Sequence, residues 1–565
     1  MAVGPVSLYR RTLAERQHLY DAAIATGQYT PFLYPWDTLP ALYLFLAIII
    51  CPRLPPKWSV AVRYMSFLVV TFHFAYIISH RRTLGFAGGY IMGIASAWGV
   101  VMAGTLLVLN DPGKDFTRLE TRPATEADHR SQADHSAVQN TSSSTGESHN
   151  IDLRRRKVPG VYSSTDIQQQ SLPEVDKPAT RPYRLVWQGF PRHSERSHVL
   201  DWAVDLITNF RGVNWNHRIP TAGEIDAPLP PHPTDGDSKA KDGGRATAVP
   251  WRTLRSFQRR TIQDFVFLYL FIDCLKTIMM TDPYFLGLEP LDSPAPWQCL
   301  ALLNSHIPMA TRCVRLLVSM TAVITALTFV YSLSPLIFGI VLPALFDVSR
   351  ITKAPLLEPW MYPPQWHPLT RSVLNSSLAG FWGKFWHQMF RFGISEPSRV
   401  LIQRLRLDQR GTPARFIQLL VGFAVSGLIH ATGSYTAFSI KPSRPLTGPL
   451  TFFLTQALGV LLQYSVVTML HRHVPAIKSF PRVLGQIANL VFVLFYLYST
   501  GPLLADDFAR CGIWLFEPVP ISLFRGLGFG PGGNDEGWWV WYQEGAQWTG
   551  WWKGDRWWTR GFAIY

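Results

Sequence analysis

Eight apolar runs, of which the first is short for a perpendicular crossing of a bilayer, constrain this chain more than any other feature. A hydrocarbon core needs about 20 apolar residues in a helix. The candidate runs lie at residues 36–51, 58–79, 84–109, 261–281, 314–334, 416–437, 449–470 and 483–504. The fifth run continues through Pro335 and Pro343 to residue 346, which predicts a re-entrant piece or a ninth span. We therefore predict an all-α polytopic membrane protein with about eight or nine transmembrane helices.

Composition supports a membrane protein and divides the chain. Only 16% of the 565 residues are charged, whereas soluble proteins carry about 25%. Five segments follow from the polar and apolar stretches: 1–110, 111–183, 184–260, 261–504 and 505–565. The first and fourth hold the spans, while the third combines a linker with an amphipathic helix lying on the membrane or on the core.

Two of these segments have unusual compositions. Residues 111–183 are poor in apolar side chains and rich in Ser, Thr, Gln, Asp and Arg. Such a segment cannot bury enough surface to offset its chain entropy, so we predict a disordered cytoplasmic insert. The last segment carries eight tryptophans between residues 538 and 558. Indole rings favour the headgroup level of a bilayer, which predicts an interfacial anchor.

The basic residues indicate the orientation of the spans. The net charge is +15, and the loop 350–415 holds ten Lys and Arg against three acidic residues. Because basic loops stay in the cytoplasm, we expect the loop 347–415 there and both chain ends in the lumen. Arg81 and Arg82 then fall on the lumenal side, which conflicts with that rule. A nucleic-acid partner is disfavoured because the basic charge lies beside apolar spans.

His430 is the first candidate for chemistry, because ionisable side chains within spans are costly and are functional candidates by default. Gly427 and Ser434 share its helical face, since they lie three residues before it and four after it. Small neighbours leave space beside the imidazole, as in a tunnel wall. A histidine that hydrogen-bonds a neighbouring helix for structural reasons fits the pattern equally well. In the fourth run, Asp273 and Lys276 are spaced to pair with each other.

The second candidate is a dense aromatic and basic block over residues 381–391, FWGKFWHQMFR. Its Lys and Arg can hold phosphates, its Trp and Phe provide an apolar mouth, and His387 adds a hydrogen-bonding group. Such a block on its own is also typical of an interfacial amphipathic helix. The five cysteines are scattered with no CxxC pair, so neither a disulfide framework nor a metal site is predicted.

Together the two blocks resemble the membrane-bound O-acyltransferase superfamily, specifically its fungal branch with a wax-synthase-like domain. Residues 381–388, FWGKFWHQ, are similar to that branch's pattern F-W-G-[RK]-x-W-H-Q. They are also similar to the sterol and diacylglycerol acyltransferase motif F-Y-x-D-W-W-N, with Lys384 in place of its Asp and His387 in place of its Asn. SGLIH at residues 426–430 is similar to the family's segment around its intramembrane His. The resemblance covers about residues 184–504.

The resemblance implies transfer of an acyl group from acyl-CoA to a hydroxyl, inside a tunnel within the membrane core 261–504. It implies His430 as the catalytic general base and His387 as the group that orients the thioester. Substrate contacts are expected from Trp382, Lys384, Trp386, Gln388 and Arg391. The expected partners are acyl-CoA, a hydrophobic alcohol and the bilayer, with no nucleic acid, no metal and no permanently bound cofactor. The oligomeric state stays open.

Three functions remain at this stage. The branch commonly uses acetyl-CoA, so we expect an acetyltransferase for a terpenoid or meroterpenoid alcohol of fungal secondary metabolism, in the endoplasmic reticulum. A wax synthase, which joins long-chain acyl-CoA to a fatty alcohol, is the enzymatic alternative. A transporter is the non-enzymatic one, because broken apolar runs and an intramembrane His can line a substrate path.

Overall fold

The computed structural model describes residues 7–123, 183–223, 225, 254–474, 479–541 and 549–565. Its longer helices are α1 (Leu8–Ala25), α2 (Leu39–Ile50), α3 (Pro56–His80), α4 (Tyr90–Ala103), α5 (Arg196–Thr208), α6 (Leu254–Met279), α7 (Gln298–His306), α8 (Ala310–Leu336), α9 (Leu369–Gly380), α10 (Arg391–Arg404), α11 (Thr412–Thr436), α12 (Thr451–His473), α13 (Arg482–Thr500) and α14 (Pro502–Arg510). The strands are short: β1 (Phe32–Tyr34), β2 (Arg118–Pro123), β3 (Tyr183–Gln188), β4 (Thr549–Trp552) and β5 (Gly561–Ile564). The predicted all-α class is confirmed.

Within the described part of the chain, seven helical segments are long and apolar enough to cross a membrane. They are Trp36–Arg53, Pro56–His80, Tyr90–Leu109, Ala310–Leu345, Thr412–Thr436, Leu446–His473 and Arg482–Arg510. Each contains most of one predicted apolar run. The remaining predicted run, the fourth at residues 261–281, lies largely in α6, a helix of 26 residues that includes six charged side chains and is not among the seven.

The separate ninth span or re-entrant piece predicted at residues 334–346 is wrong. This stretch continues α8 without a break, through Pro335 and a π-helical turn at Ile337–Val341. Proline removes one backbone donor, and a widened turn allows the helix to continue past it. Apolar runs alone could not distinguish one long helix from two shorter elements.

The ends of the spans gather on two opposite faces. The motif face comprises residues 110–123, 183–223, 225 and 346–411, and the tail face comprises residues 26–35, 81–89, 437–445, 511–541 and 549–565. On the motif face, the Asn110 amide donates to Glu396 at 3.2 Å. On the tail face, the Arg16 guanidinium donates to the Phe438 carbonyl at 2.6 Å.

Glycines bring α4 and α11 into close contact. A Cβ at Gly93 would stand 2.2 Å from Thr436 Oγ1 and 2.5 Å from the Thr432 carbonyl. A Cβ at Gly433 would stand 3.0 Å from the Tyr90 ring. Small residues let helix backbones approach closely in membranes, so this pair of helices holds Tyr90 opposite the C-terminal part of α11.

The start of the predicted disordered insert is ordered, and its boundary at residue 111 is corrected. β2 pairs antiparallel with β3, and Arg118 in β2 is fully buried. Its guanidinium lies 2.7 Å from Glu120, 2.6 Å from Asp201 and 3.2 Å from Asp205. These charges compensate one another on burial, which composition cannot reveal. The rest of the predicted insert, residues 124–182, lies outside the described residues.

The amphipathic segment packs on the protein core. Val199, Trp202, Ala203 and Leu206 of α5 are buried in a hydrophobic cluster with side chains of α2 and α4. Of the two locations that the sequence allowed for this helix, the structure has the one on the core. The polar linker that follows it lies largely outside the described residues.

The C-terminal tail, described over residues 505–541 and 549–565, is folded, and buried polar groups hold it in place. Glu517 and Arg525 form a buried ion pair at 2.6 Å, and Tyr9 of α1 donates to Glu517. The expected pairing of Asp273 with Lys276 is wrong, because both side chains contact the tail instead. Lys276 donates to the Trp514 carbonyl at 2.5 Å, and Asp273 accepts from backbone and hydroxyl groups of the tail. The desolvation cost of these charges is thus offset between distant segments.

Candidate active site

A cavity of about 1960 Å³ lies between the helices. Its walls come mainly from α4, α6, α8, α9 and α13, the motif 381–390 and the tail, while α11 contributes His430 and α12 contributes Phe452 and Phe453. The walls are predominantly apolar and aromatic. Both His387 and His430 line it. Leu317 of α8 and Phe495 of α13 also line it, although they are 64% and 68% exposed. The cavity therefore reaches the lipid-facing surface between α8 and α13.

His430 lies on α11 and is held from two sides. Its Nδ1 is 3.2 Å from the Tyr90 hydroxyl, and its ring stacks on Phe453 with centroids 4.8 Å apart and planes at 16°. Nε2 has no hydrogen-bond partner in the described part of the chain, and the ring borders the cavity. The imidazole is fixed in plane and direction, and one nitrogen remains available to a bound molecule.

The aromatic motif ends α9 in a π-helical turn. The Trp386 amide donates to the Phe381 carbonyl at 2.7 Å and closes this turn. Just before it, Ser377 has φ +50°, and a Cβ at Gly380 would stand 2.0 Å from the Ser372 carbonyl. Only glycine fits this sharp break. Widened turns of this kind occur often at functional sites, and here the turn directs aromatic side chains into the cavity.

His387 follows the turn and lies outside the seven spans. The rings of Trp366 and Trp386 pack against it at centroid distances of 5.9 and 5.4 Å, and its Nδ1 is buried without a hydrogen-bond partner. Burial, and to a smaller extent the charges of His430 and Arg211, lowers the pKa of His387 to about 3. The side chain is therefore neutral at physiological pH. The electrostatic coupling also indicates that the two imidazoles lie near each other.

Two of the five expected substrate-binding residues line the cavity. They are Trp382 and Trp386, whose rings pack 5.4 Å apart. The Trp382 Nε1 donates to the buried amide oxygen of Gln456 at 3.3 Å. Gln456 in turn donates to Thr500 Oγ1 at 2.9 Å, so the indole belongs to a polar chain that links α12 with α13.

The other three expected substrate-binding residues do not line the cavity. Lys384 is exposed and donates to Ser376 at 3.1 Å. Gln388 donates to the carbonyls of Trp382 and Trp386 at 3.0 and 2.7 Å, and Arg391 donates to Gln388 Oε1 at 2.7 Å. Gln388 and Arg391 hold the motif turn in shape.

Tyr90 and Phe453 are site residues that the sequence did not indicate. Tyr90 starts α4, and Phe453 lies on α12, the span that follows α11. No local motif therefore connects either residue to His430. A usable signal lay in Gly433, one turn after His430, because a residue that lacks a side chain on that face admits a bulky partner. The described residues contain no group of three or more His, Cys, Asp and Glu side chains that could hold a metal ion.

Comparison with known proteins bears on the same segment. The model of the membrane bound O-acyl transferase family matches residues 362–455, which include both histidines. Among similar curated proteins is acetyltransferase fsoF of Humicola fuscoatra, 30% identical over 147 residues, or 24% of this chain and 34% of the relative. Acetyltransferase ataH of Aspergillus terreus is 30% identical over 166 residues, or 28% and 52%. Acetyltransferase eriL of Hericium erinaceus is 25% identical over 351 residues, or 61% and 76%.

The aligned regions span 34% and 52% of the first two relatives. No solved structure is significantly similar to the chain. Within residues 362–455, however, the family match contains the π-helical motif turn, His387, His430 and Phe453. The resemblance to the membrane-bound O-acyltransferase family that the two histidine motifs indicated is therefore confirmed.

Proposed function

We propose that this chain is an acyl-CoA-dependent O-acyltransferase that transfers acetyl from acetyl-CoA to a hydroxyl of a hydrophobic acceptor. The observation that carries the proposal is that both motif histidines line one apolar cavity, each with a ring nitrogen that has no partner in the described chain. The family match at residues 362–455 and the relatives named acetyltransferases support it.

His430 acts as the general base. An alcohol is a weak nucleophile, so a base must take its proton as the oxygen attacks the thioester carbonyl. Nε2 of His430 accepts that proton, the new carbon–oxygen bond forms, and the carbon–sulfur bond breaks. The CoA thiolate leaves and takes the proton from the imidazolium, so the enzyme returns to its starting state. No acyl-enzyme is required.

His387 stabilises the oxyanion that develops on the thioester oxygen. A neutral imidazole carries one proton, and placing it on Nε2 leaves only a lone pair at the buried, unpartnered Nδ1. His387 then presents an N–H to the cavity, whereas His430 presents a lone pair. A donor for the oxyanion and an acceptor for the hydroxyl proton are the two groups that acyl transfer needs.

A terpenoid or meroterpenoid alcohol of fungal secondary metabolism is the acceptor class that we favour. The cavity has a volume of about 1960 Å³. This exceeds the usual volume of ligand pockets, which is roughly 300–1,000 Å³. It can hold a multi-ring alcohol together with the thioester end of acyl-CoA. The apolar walls and the opening between α8 and α13 suit an acceptor that arrives from the bilayer.

The location that fits this function is the endoplasmic reticulum, with the motif face in the cytoplasm, where acyl-CoA is available. The conflict at Arg81 and Arg82 has a structural reason under this orientation. Arg81 pairs with Asp37 at 2.9 Å, and Arg82 stacks on Tyr29 and Tyr435. Both guanidinium groups are buried in the protein, so they do not act as a free basic loop.

The test is turnover by microsomes that contain the wild type, His430→Ala or the control His306→Ala, whose histidine is exposed outside the cavity. The acceptor is identified first by comparing metabolites of the producing strain with those of its His430→Ala derivative. We expect a free alcohol to accumulate in place of its acetate, and kcat to fall about 10²-fold or more in His430→Ala only. Loss of long-chain esters instead would identify a wax synthase. Unchanged esters together with flux across proteoliposomes without CoA would identify a transporter.

A further inference from the structure

Tyr90 is the one described side chain that hydrogen-bonds His430. Its hydroxyl lies 3.2 Å from Nδ1, and the residue is 4% exposed and borders the cavity. Tyr90 opens α4, whereas His430 lies on α11, so the contact joins two spans that are far apart in sequence.

Packing holds the Tyr90 hydroxyl in place independently of the hydrogen bond. The ring meets Phe508 edge to face with centroids 5.3 Å apart. It also lies against Gly433, where any Cβ would stand only 3.0 Å away. The Thr436 hydroxyl donates to the Gly89 carbonyl at 2.9 Å and ties the start of α4 to α11. The hydroxyl is therefore positioned before any substrate binds.

The proton count during the proposed reaction gives Tyr90 its role. When an acceptor hydroxyl binds at Nε2 of His430, that nitrogen must present its lone pair. The imidazole proton then lies on Nδ1, and the only acceptor within reach in the described chain is the Tyr90 oxygen. As Nε2 gains the acceptor's proton, the imidazolium charge develops next to this oxygen. A hydrogen bond from a charged donor is stronger than one from a neutral donor.

We propose that Tyr90 is a positioning residue, which accepts the His430 Nδ1 proton and so holds the base in its reactive tautomer. This inference rests on the proposed acyl transfer, because it needs a proton to move onto Nε2. Tyr90 itself stays protonated, because its oxygen accepts the Nδ1 proton through a lone pair.

The first test is Tyr90→Phe, which keeps the ring and its packing. We expect kcat to fall about 10- to 100-fold, as for the loss of a hydrogen bond to a developing charge. The KM values for acyl-CoA and acceptor should change little, since the hydroxyl contacts His430 and not the substrates. A merely structural residue would lower the amount of folded enzyme and leave kcat per folded molecule unchanged.

The sharper test replaces Tyr90 by tyrosines fluorinated at the ring carbons that flank the hydroxyl. Fluorine makes the phenol oxygen a poorer acceptor and its O–H a better donor. If Tyr90 accepts from Nδ1, kcat should fall progressively from tyrosine through the mono-fluorinated to the di-fluorinated residue. A kcat that stays constant or rises overturns the inference.

Tyr284 supplies the matched control. It is fully buried, does not line the cavity, and packs against the Phe285 ring with centroids 5.0 Å apart. Tyr284→Phe and fluorinated residues at position 284 should leave kcat unchanged. If the wild type transfers acetyl and fluorination at position 90 has no effect on kcat, the role of Tyr90 is refuted while the proposed function stands. A wild type that forms no ester refutes the proposed function and this inference with it.

Discussion

Replacement of His387 by asparagine separates hydrogen bonding from proton transfer at the second histidine. Burial and neighbouring charge lower the pKa of His387 to about 3. At neutral pH roughly one side chain in 10⁴ would then be protonated, and charging it would cost about 5 kcal/mol. A step that used the cationic form would be slowed by that factor. Under the proposed mechanism His387 therefore acts as a neutral donor, a role that an asparagine amide can also perform.

We expect His387→Asn to keep kcat within about tenfold of the wild type, whereas His387→Ala loses about 10²- to 10³-fold, as for removal of one oxyanion donor. The acidic limb of the kcat/KM profile should be unchanged in His387→Asn, because no titration of this residue contributes to it. The assay is initial-rate acetylation in microsomes with the amount of enzyme normalised by immunoblot. An asparagine variant as inactive as the alanine variant would refute the reasoning and favour proton transfer.

Three further predictions concern packing, charge and pH. Gly433→Ala would place a methyl 3.0 Å from the Tyr90 ring. We expect the free energy of unfolding to fall by about 1–3 kcal/mol and kcat to fall as well, measured by thermal unfolding in detergent and by turnover. Arg118→Met leaves three carboxylates without their cation and should lower the free energy of unfolding by about 3–5 kcal/mol. The measurement is the loss of monodisperse protein on size exclusion. Burial lowers the pKa of both His387 and His217 from the ordinary 6.5 to about 3. Their neutral forms favour folding above pH 6.5, and stability is lost as pH falls, by about 2 kcal/mol per histidine at pH 5. Melting temperature should therefore drop between pH 7 and pH 5, and less in His387→Asn.

The sequence was sufficient to predict seven spans and to single out the two histidines that line the cavity, because both depend on local pattern. Apolar runs of bilayer length mark helices, and the motifs around His387 and His430 lie within short stretches. The charges of Lys384 and Arg391 suggested that both side chains contact the substrate, but neither of them lines the cavity. A π-helical turn rotates successive side chains by an angle that regular helical periodicity does not anticipate.

Features that depend on distant partners could not be predicted. Arg118 is buried because Asp201 and Asp205 come to it from α5, and a local window around residue 118 contains only a polar stretch. Lys276 likewise finds its acceptor in the tail, 238 residues along the chain. Tyr90 becomes a site residue only through helix packing. No local sequence pattern encodes such pairings.

The small sheet on the tail face has a consequence for biosynthesis. β1 is made early, yet its neighbour in the sheet is β5, where Phe32 pairs with Ile564. At about 5–20 residues per second, β1 waits on the order of a minute as an unpaired edge in the translocating chain. The nascent chain should therefore depend on chaperones during this interval. A frameshift or stop codon anywhere before residue 561 would leave that edge open permanently, so we expect such products to be degraded and not to persist as partly folded protein.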